Sequence, residues 1–195
     1  MRPIVPLCGV VLPVFLLVAA CGETRNPTTP SPLSALPQPT SVNAPGIALR
    51  AEGRRILMLD QCDPDSFNAA IGPGTCVDRK GGITFDAFIA LLQGQQRVPS
   101  WRFSPEAIHV PTELTLPIVN AGGEEHTFTE VEEFGGGVVP VLNALSGNPV
   151  PAAECLTLSP SDFIAAGGQT THTFAPGESE KYQCCIHPWM RATTR

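Results

Sequence analysis

Apolar positions recur along this chain with two different periods. Over 83–95, ITFDAFIALLQGQ, residues Phe85, Phe88, Ile89, Leu91 and Leu92 fall at helical spacing. This predicts a helix with Thr84 as its cap. DPDSFNAAIG, 63–72, predicts a shorter helix with Asp63 or Asp65 as the cap and Pro64 near its start. From Trp101 onward the pattern changes. Ile108, Val110, Leu114, Leu116, Ile118 and Val119 favour extended chain, and Pro and Gly punctuate the run. Short strands between frequent turns predict an antiparallel sandwich, with Pro111 and Pro117 at strand starts, edges or bulges. HTFAPGESEKYQC, 172–184, reads as strand, turn, strand.

The first forty-five residues follow neither period. MRPIVPLCGVVLPVFLLVAA, 1–20, has Arg2 as a positive start and a mostly apolar stretch at 10–18, as in a secretory signal. It is too short and too interrupted by Pro for a membrane span. VAAC, 18–21, resembles the lipobox of bacterial lipoproteins, with Cys21 as the acylated residue. The alternative is ordinary cleavage near Ala20. Residues 22–45 hold six prolines and almost no large apolar side chain, so they predict a semi-extended spacer. The expected organisation is a signal at 1–20, the lipidated Cys21 and linker at 21–45, a helical accessory segment at 46–100 and a β domain at 101–195. The expected location is extracytoplasmic, held by the lipid to a bacterial membrane on its periplasmic side or at the cell surface.

Composition narrows the function. The net charge is −6 and no Lys/Arg run occurs, which argues against nucleic acid as a partner. Of seven cysteines, Cys8 leaves with the signal and Cys21 carries lipid. Cys62, Cys76, Cys155, Cys184 and Cys185 remain in an oxidising compartment, where thiols left free should pair. Five is odd: two disulfides and one thiolate with a special role account for them. Cys62 and Cys76 bracket the first predicted helix and are expected to pair.

The special thiolate has company. Cys184, His187 and Met190 form C-x2-H-x2-M, and NAGGEEH, 120–126, supplies His126 from a Gly-rich turn. Two imidazoles, one thiolate and a weak thioether are the donor set of a type 1 copper site. CCIHPWMR and the spacing from Asn120 to His126 resemble the cupredoxins, most closely the short-loop member amicyanin. FSPEAIHV resembles that family's early strand, and FAPGESEKYQC its final hairpin. The resemblance covers 101–195. It implies a mainly β, cupredoxin-like antiparallel Greek-key sandwich holding one type 1 copper ion on His126, Cys184, His187 and Met190.

The resemblance also implies that Asn120 or Thr127 supports the cysteine loop, and that Pro188 and Trp189 form an apolar patch for transient redox protein partners. A core role for Trp189 is the alternative. The chain departs from the family in four places, one of them Thr127, the residue after the first histidine. It ends five residues after Met190, leaving little of the usual closing strand; 131–155 is an insertion; and the ligand cysteine is doubled.

Successive side chains on a strand point to opposite sides, so Cys184 and Cys185 should serve different layers. Spacing to His187 favours Cys184 as ligand, with Cys185 pairing to Cys155. The swapped assignment and a vicinal disulfide stay open, as does zinc on Cys184, Cys185 and His187. His109 and His172 read as structural, and Glu130, Glu132 and Glu133 as a solvated face. The glycines of FGGG, 134–137, lack the Lys-Ser/Thr of a phosphate loop. Four histidines without His-x-His pairs do not suit a multicopper enzyme. The expected function is a membrane-anchored single-electron carrier and not an enzyme. The alternatives are a copper delivery or storage protein and a surface interaction module whose metal is structural or absent.

Overall fold

The computed structural model describes residues 54–78 and 80–195. The signal, Cys21 and the linker lie outside the described residues. Among those described, no helix is long and apolar enough to cross a membrane.

Two four-stranded sheets form the body. Strands β1 (Ile56–Leu59), β2 (Arg102–Ser104), β4 (Leu114–Asn120) and β8 (Gln169–Phe174) make the first, in the order β2-β1-β4-β8. Strands β3 (Ala107–Ile108), β6 (Thr129–Val131), β9 (Lys181–Gln183) and β10 (Arg191–Thr194) make the second, in the order β3-β10-β9-β6. A two-stranded ribbon joins β5 (His126–Thr127) to β7 (Phe163–Ile164). This is the mainly β sandwich that the sequence implies, but the sheets are mixed. The pairs β1–β4 and β3–β10 are parallel and the others antiparallel.

Strand β1 corrects the picture of 46–100 as a helical accessory. Ile56 and Met58 are fully buried, and ILML lies between β2 and β4 with Ile56 opposite Ile118. A four-residue apolar run carries no apolar–polar alternation, because half-buried Leu57 and Leu59 on the other face are apolar too. The boundary at 100/101 is therefore a change of sequence texture and does not separate two folding units: 54–195 lies within one compact unit.

The helices follow their caps. In α1 (Pro64–Ala70) the Asp63 carboxylate accepts from the Ser66 amide at 2.9 Å, and Pro64 occupies the first turn. In α2 (Phe85–Gln95) the Thr84 hydroxyl accepts from the Ala87 amide, and the helix ends where Gln96 turns left-handed at φ 58°. The buried faces of the two helices, Phe67, Phe88 and Leu92, meet the sandwich through Trp101. Pro117 is tolerated inside β4 because pairing with β1 begins only at Ile118.

Two expectations about the C-terminal region change. FAPGESEKYQC is not a hairpin, since β8 pairs with β4 in one sheet and β9 with β6 and β10 in the other. The connection crosses between sheets. The closing strand is present: four residues, Arg191–Thr194, suffice for β10 to pair with both β3 and β9.

The insertion folds as α3 (Pro140–Leu145) and a turn of 3-10 helix over Glu154–Leu156. It is tied down at Gly137. A Cβ there would overlap the Cys185 carbonyl, while Asn143 Nδ2 donates to the Gly137 carbonyl and Asn143 Oδ1 accepts from the Gly137 amide. The FGGG glycines permit close backbone approach, to Ala152, Asn148 and Cys185 in turn.

Candidate metal centre

The site forms where the β4–β5 turn meets the β9–β10 loop. His126 opens β5, and Cys184 follows β9 directly. The loop closes tightly: the Cys184 amide donates to the Met190 carbonyl at 3.0 Å, and the Met190 amide to the His187 carbonyl at 2.9 Å. Three donor atoms converge. Cys184 Sγ lies 3.7 Å from His126 Nδ1 and 3.8 Å from His187 Nδ1, and the two Nδ1 atoms are 3.2 Å apart. All three side chains are buried. A point equidistant from the three atoms lies roughly 2.1 Å from each, in the range of metal–nitrogen bonds and slightly inside that of metal–thiolate bonds. The cluster can hold a metal ion. Met190, fully buried, belongs to the same core as Cys184.

The doubled cysteine resolves by strand alternation. Cys184 is free and faces the histidines; Cys185 is bonded to Cys155. Cys62 is bonded to Cys76. With Cys185 in a disulfide, it offers no thiolate to zinc.

Asn120 and Thr127 both brace the site. Asn120 Nδ2 donates to the carbonyls of Glu124 and Ile164, and its Oδ1 accepts from the Gly122 amide, which fixes the turn that presents His126. The Thr127 amide points at Cys184 Sγ from 3.4 Å, and its hydroxyl accepts from the Cys185 amide at 2.8 Å. His172 bonds Tyr182 Oη, and exposed His109 lies against the Arg195 carbonyl, so neither joins the site. Glu130, Glu132 and Glu133 are exposed.

The expected partner patch is not on the surface as drawn. Pro188 is buried, and partly buried Trp189 packs on His187 and Phe88. Helix α2 and Trp101 cover this side of the loop: Phe88 meets the His187 ring edge-on at 6.5 Å. The His187 imidazole also lines an open cavity with Pro73, Val77, Glu124, Ala165 and Ile186.

Two carboxylates escaped sequence reasoning. Asp60, at the end of β1, bonds His126 Nε2 at 2.8 Å. Glu124 lies 3.5 Å from His187 Nε2 and accepts a 2.6 Å hydrogen bond from Trp101 Nε1. Asp60 is 66 residues from its partner, and no spacing rule links them. The available signal was Glu124 itself, two positions before His126 in a Gly-rich turn.

These contacts set the charges of the metal-free site. Burial opposes ionisation of Asp60 most strongly, but His126 and the Glu124 and Gly123 amides outweigh it and lower its pKa to about 2. Burial likewise disfavours charge on His126, yet Asp60 and Cys184 together raise it to about 9. Burial pushes the Cys184 thiol up, and the two imidazoles more than reverse this, taking it well below its ordinary value. Burial raises Glu124. Cys184 is therefore poised as the thiolate that a metal requires.

No family model and no curated protein matches the chain. Among solved structures it is similar to a purple cupredoxin from Nitrosopumilus maritimus, at 18% identity over 52% of this chain and 90% of that one, with a TM-score of 0.36. It is similar to an amicyanin variant in the Cu(I) state at 17% identity over 48% of this chain and 70% of that one, TM-score 0.31. A fern plastocyanin variant shares 15% identity over 48% of this chain and 86% of that one, TM-score 0.33. At these values the chemistry of the site rests on its own atoms.

Proposed function

We propose that the protein binds one copper ion at His126, Cys184 and His187, with Met190 as a fourth, weaker ligand, and carries single electrons between redox partners. The observation that carries this reading is the buried triangle of two Nδ1 atoms and one thiolate. Copper bound there would exchange one electron between Cu(I) and Cu(II), a couple served by two imidazoles, one thiolate and a weak thioether.

The chain's own residues supply rigidity. The 184–190 loop is closed by its own hydrogen bonds, Thr127 fixes both cysteines, and Asn120 fixes the turn before His126. Donors held this firmly change little when charge at the centre changes, and small reorganisation favours electron exchange. The near-complete burial of the ligands, with only the His187 edge toward a cavity, also suits an ion that stays in place better than one handed to an acceptor.

Partners would approach the His187 edge through the cavity lined by Val77 and Glu124, in small and transient contacts. VAAC and the Pro-rich stretch support a lipid-anchored, extracytoplasmic carrier whose spacer holds the folded part off the membrane. Voltammetry on the copper-loaded protein tests the reading. One reversible one-electron wave per chain is expected. Tight binding of one copper ion without reversible cycling, or ready transfer of the ion to an apo-acceptor, contradicts it.

A further inference from the structure

Asp60 is the most heavily constrained side chain around the site. Oδ1 accepts from the Gly123 amide at 2.9 Å and from the Cys62 amide at 3.3 Å. Oδ2 accepts from the Glu124 amide at 3.0 Å and faces His126 Nε2 at 2.8 Å. An ionised carboxylate is acceptor-only, so the proton in the last contact belongs to His126 Nε2. A neutral ring protonated at Nε2 has its lone pair at Nδ1, and Nδ1 is the atom that faces Cys184 and His187.

We propose that Asp60 is a positioning residue of the copper site, which fixes His126 with Nδ1 toward the metal and adds a buried negative charge that favours Cu(II) over Cu(I). The inference rests on the copper reading and deepens it. A carboxylate on the outer nitrogen of a ligating imidazole sets the tautomer and raises the ligand's basicity. Its charge, one ring away and shielded from solvent, is poorly screened. It therefore stabilises the more positive oxidation state.

The surroundings are shaped around this contact. A Cβ on Gly122 would overlap Asp60 Oδ2, and one on Gly123 would press on Cys62 Sγ in the Cys62–Cys76 disulfide. The two glycines of the ligand turn let the end of β1 come up against it. The segment before Trp101 is thus part of the metal centre.

Asp60→Asn keeps the size and an acceptor oxygen but removes the charge. Its copper-loaded form should keep the intense visible band and lose at least tenfold in Cu(II) affinity relative to Cu(I). That is read as a reduction potential higher by about 59 mV for each tenfold change in a one-electron couple. A copper-loaded Asp60→Asn with the wild-type potential overturns the inference. Wild-type protein keeps the question decidable if the variant does not fold. In the diamagnetic Cu(I) form, 15N NMR should place the proton of His126 on Nε2 and the metal on Nδ1; the opposite tautomer overturns the inference. A wild type that takes up no copper sinks the copper reading itself, and that control precedes every comparison.

Discussion

Cys184 and Cys185 are consecutive, yet their sulfur atoms belong to different cores. Cys184 lies in the main core with Tyr182 and Met190, against His126. Cys185 lies with Val131, Ala152 and Cys155 beneath the insertion. The alternation extends back along β9: Tyr182 faces the first core, and Gln183 Nε2 reaches Cys155 Sγ in the second. One strand end therefore holds the candidate metal ligand on one side and anchors the 131–155 loop on the other.

Removing the anchor should leave the ligand in place. The Cys155→Ser, Cys185→Ser double variant is expected to lose about 2–4 kcal/mol of stability in denaturant unfolding, as for other native disulfides. Its copper spectrum should stay close to wild type, because Thr127 and the 184–190 loop still hold Cys184. Disappearance of the copper band in the folded double variant would contradict the division of labour.

Trp101 donates to a carboxylate that is only 6% exposed. Trp101→Phe keeps an aromatic ring against Phe67 and Phe88 but leaves Glu124 short of its donor. The expected cost is about 1–3 kcal/mol, the penalty for an unsatisfied buried polar group. A variant as stable as wild type in chemical denaturation would show that the hydrogen bond contributes nothing net.

The cap of α1 gives a pH signature. Hydrogen bonds from the Ser66 hydroxyl and amide hold the Asp63 carboxyl below its ordinary value of 3.8. A carboxyl with a lowered folded-state pKa adds stability above its unfolded pKa, and this is lost as the pH falls through the folded one. The gap in melting temperature between wild type and Asp63→Ala should thus be full at neutral pH and narrow below pH 3.8. A gap independent of pH would mean that the charge of Asp63 plays no part.

What the sequence disclosed and what it hid have distinct physical causes. The proposed ligands were legible because a single loop presents Cys184, His187 and Met190, which fixes their spacing. The two helices were legible because Asp63 and Thr84 cap them locally. Strand β1 was hidden because its half-buried face, Leu57 and Leu59, is as apolar as its buried one, which erases the alternation. Asp60 was hidden because its role comes from β1 lying parallel to β4, a pairing with no local signature. The supposed final hairpin looked local and was not: strand, turn and strand read the same whether the two strands pair or cross between sheets. Pro188 looked available for docking until α2 and Trp101, distant in sequence, covered that loop.

The most direct test is the visible absorption of the oxidised, Cu(II)-loaded protein beside its Cys184→Ser and Cys185→Ser variants. The account predicts one copper per chain and an intense thiolate-to-copper charge-transfer band in the wild type, kept in Cys185→Ser and abolished in Cys184→Ser. No band in the folded wild type, or a band lost only in Cys185→Ser, would contradict it.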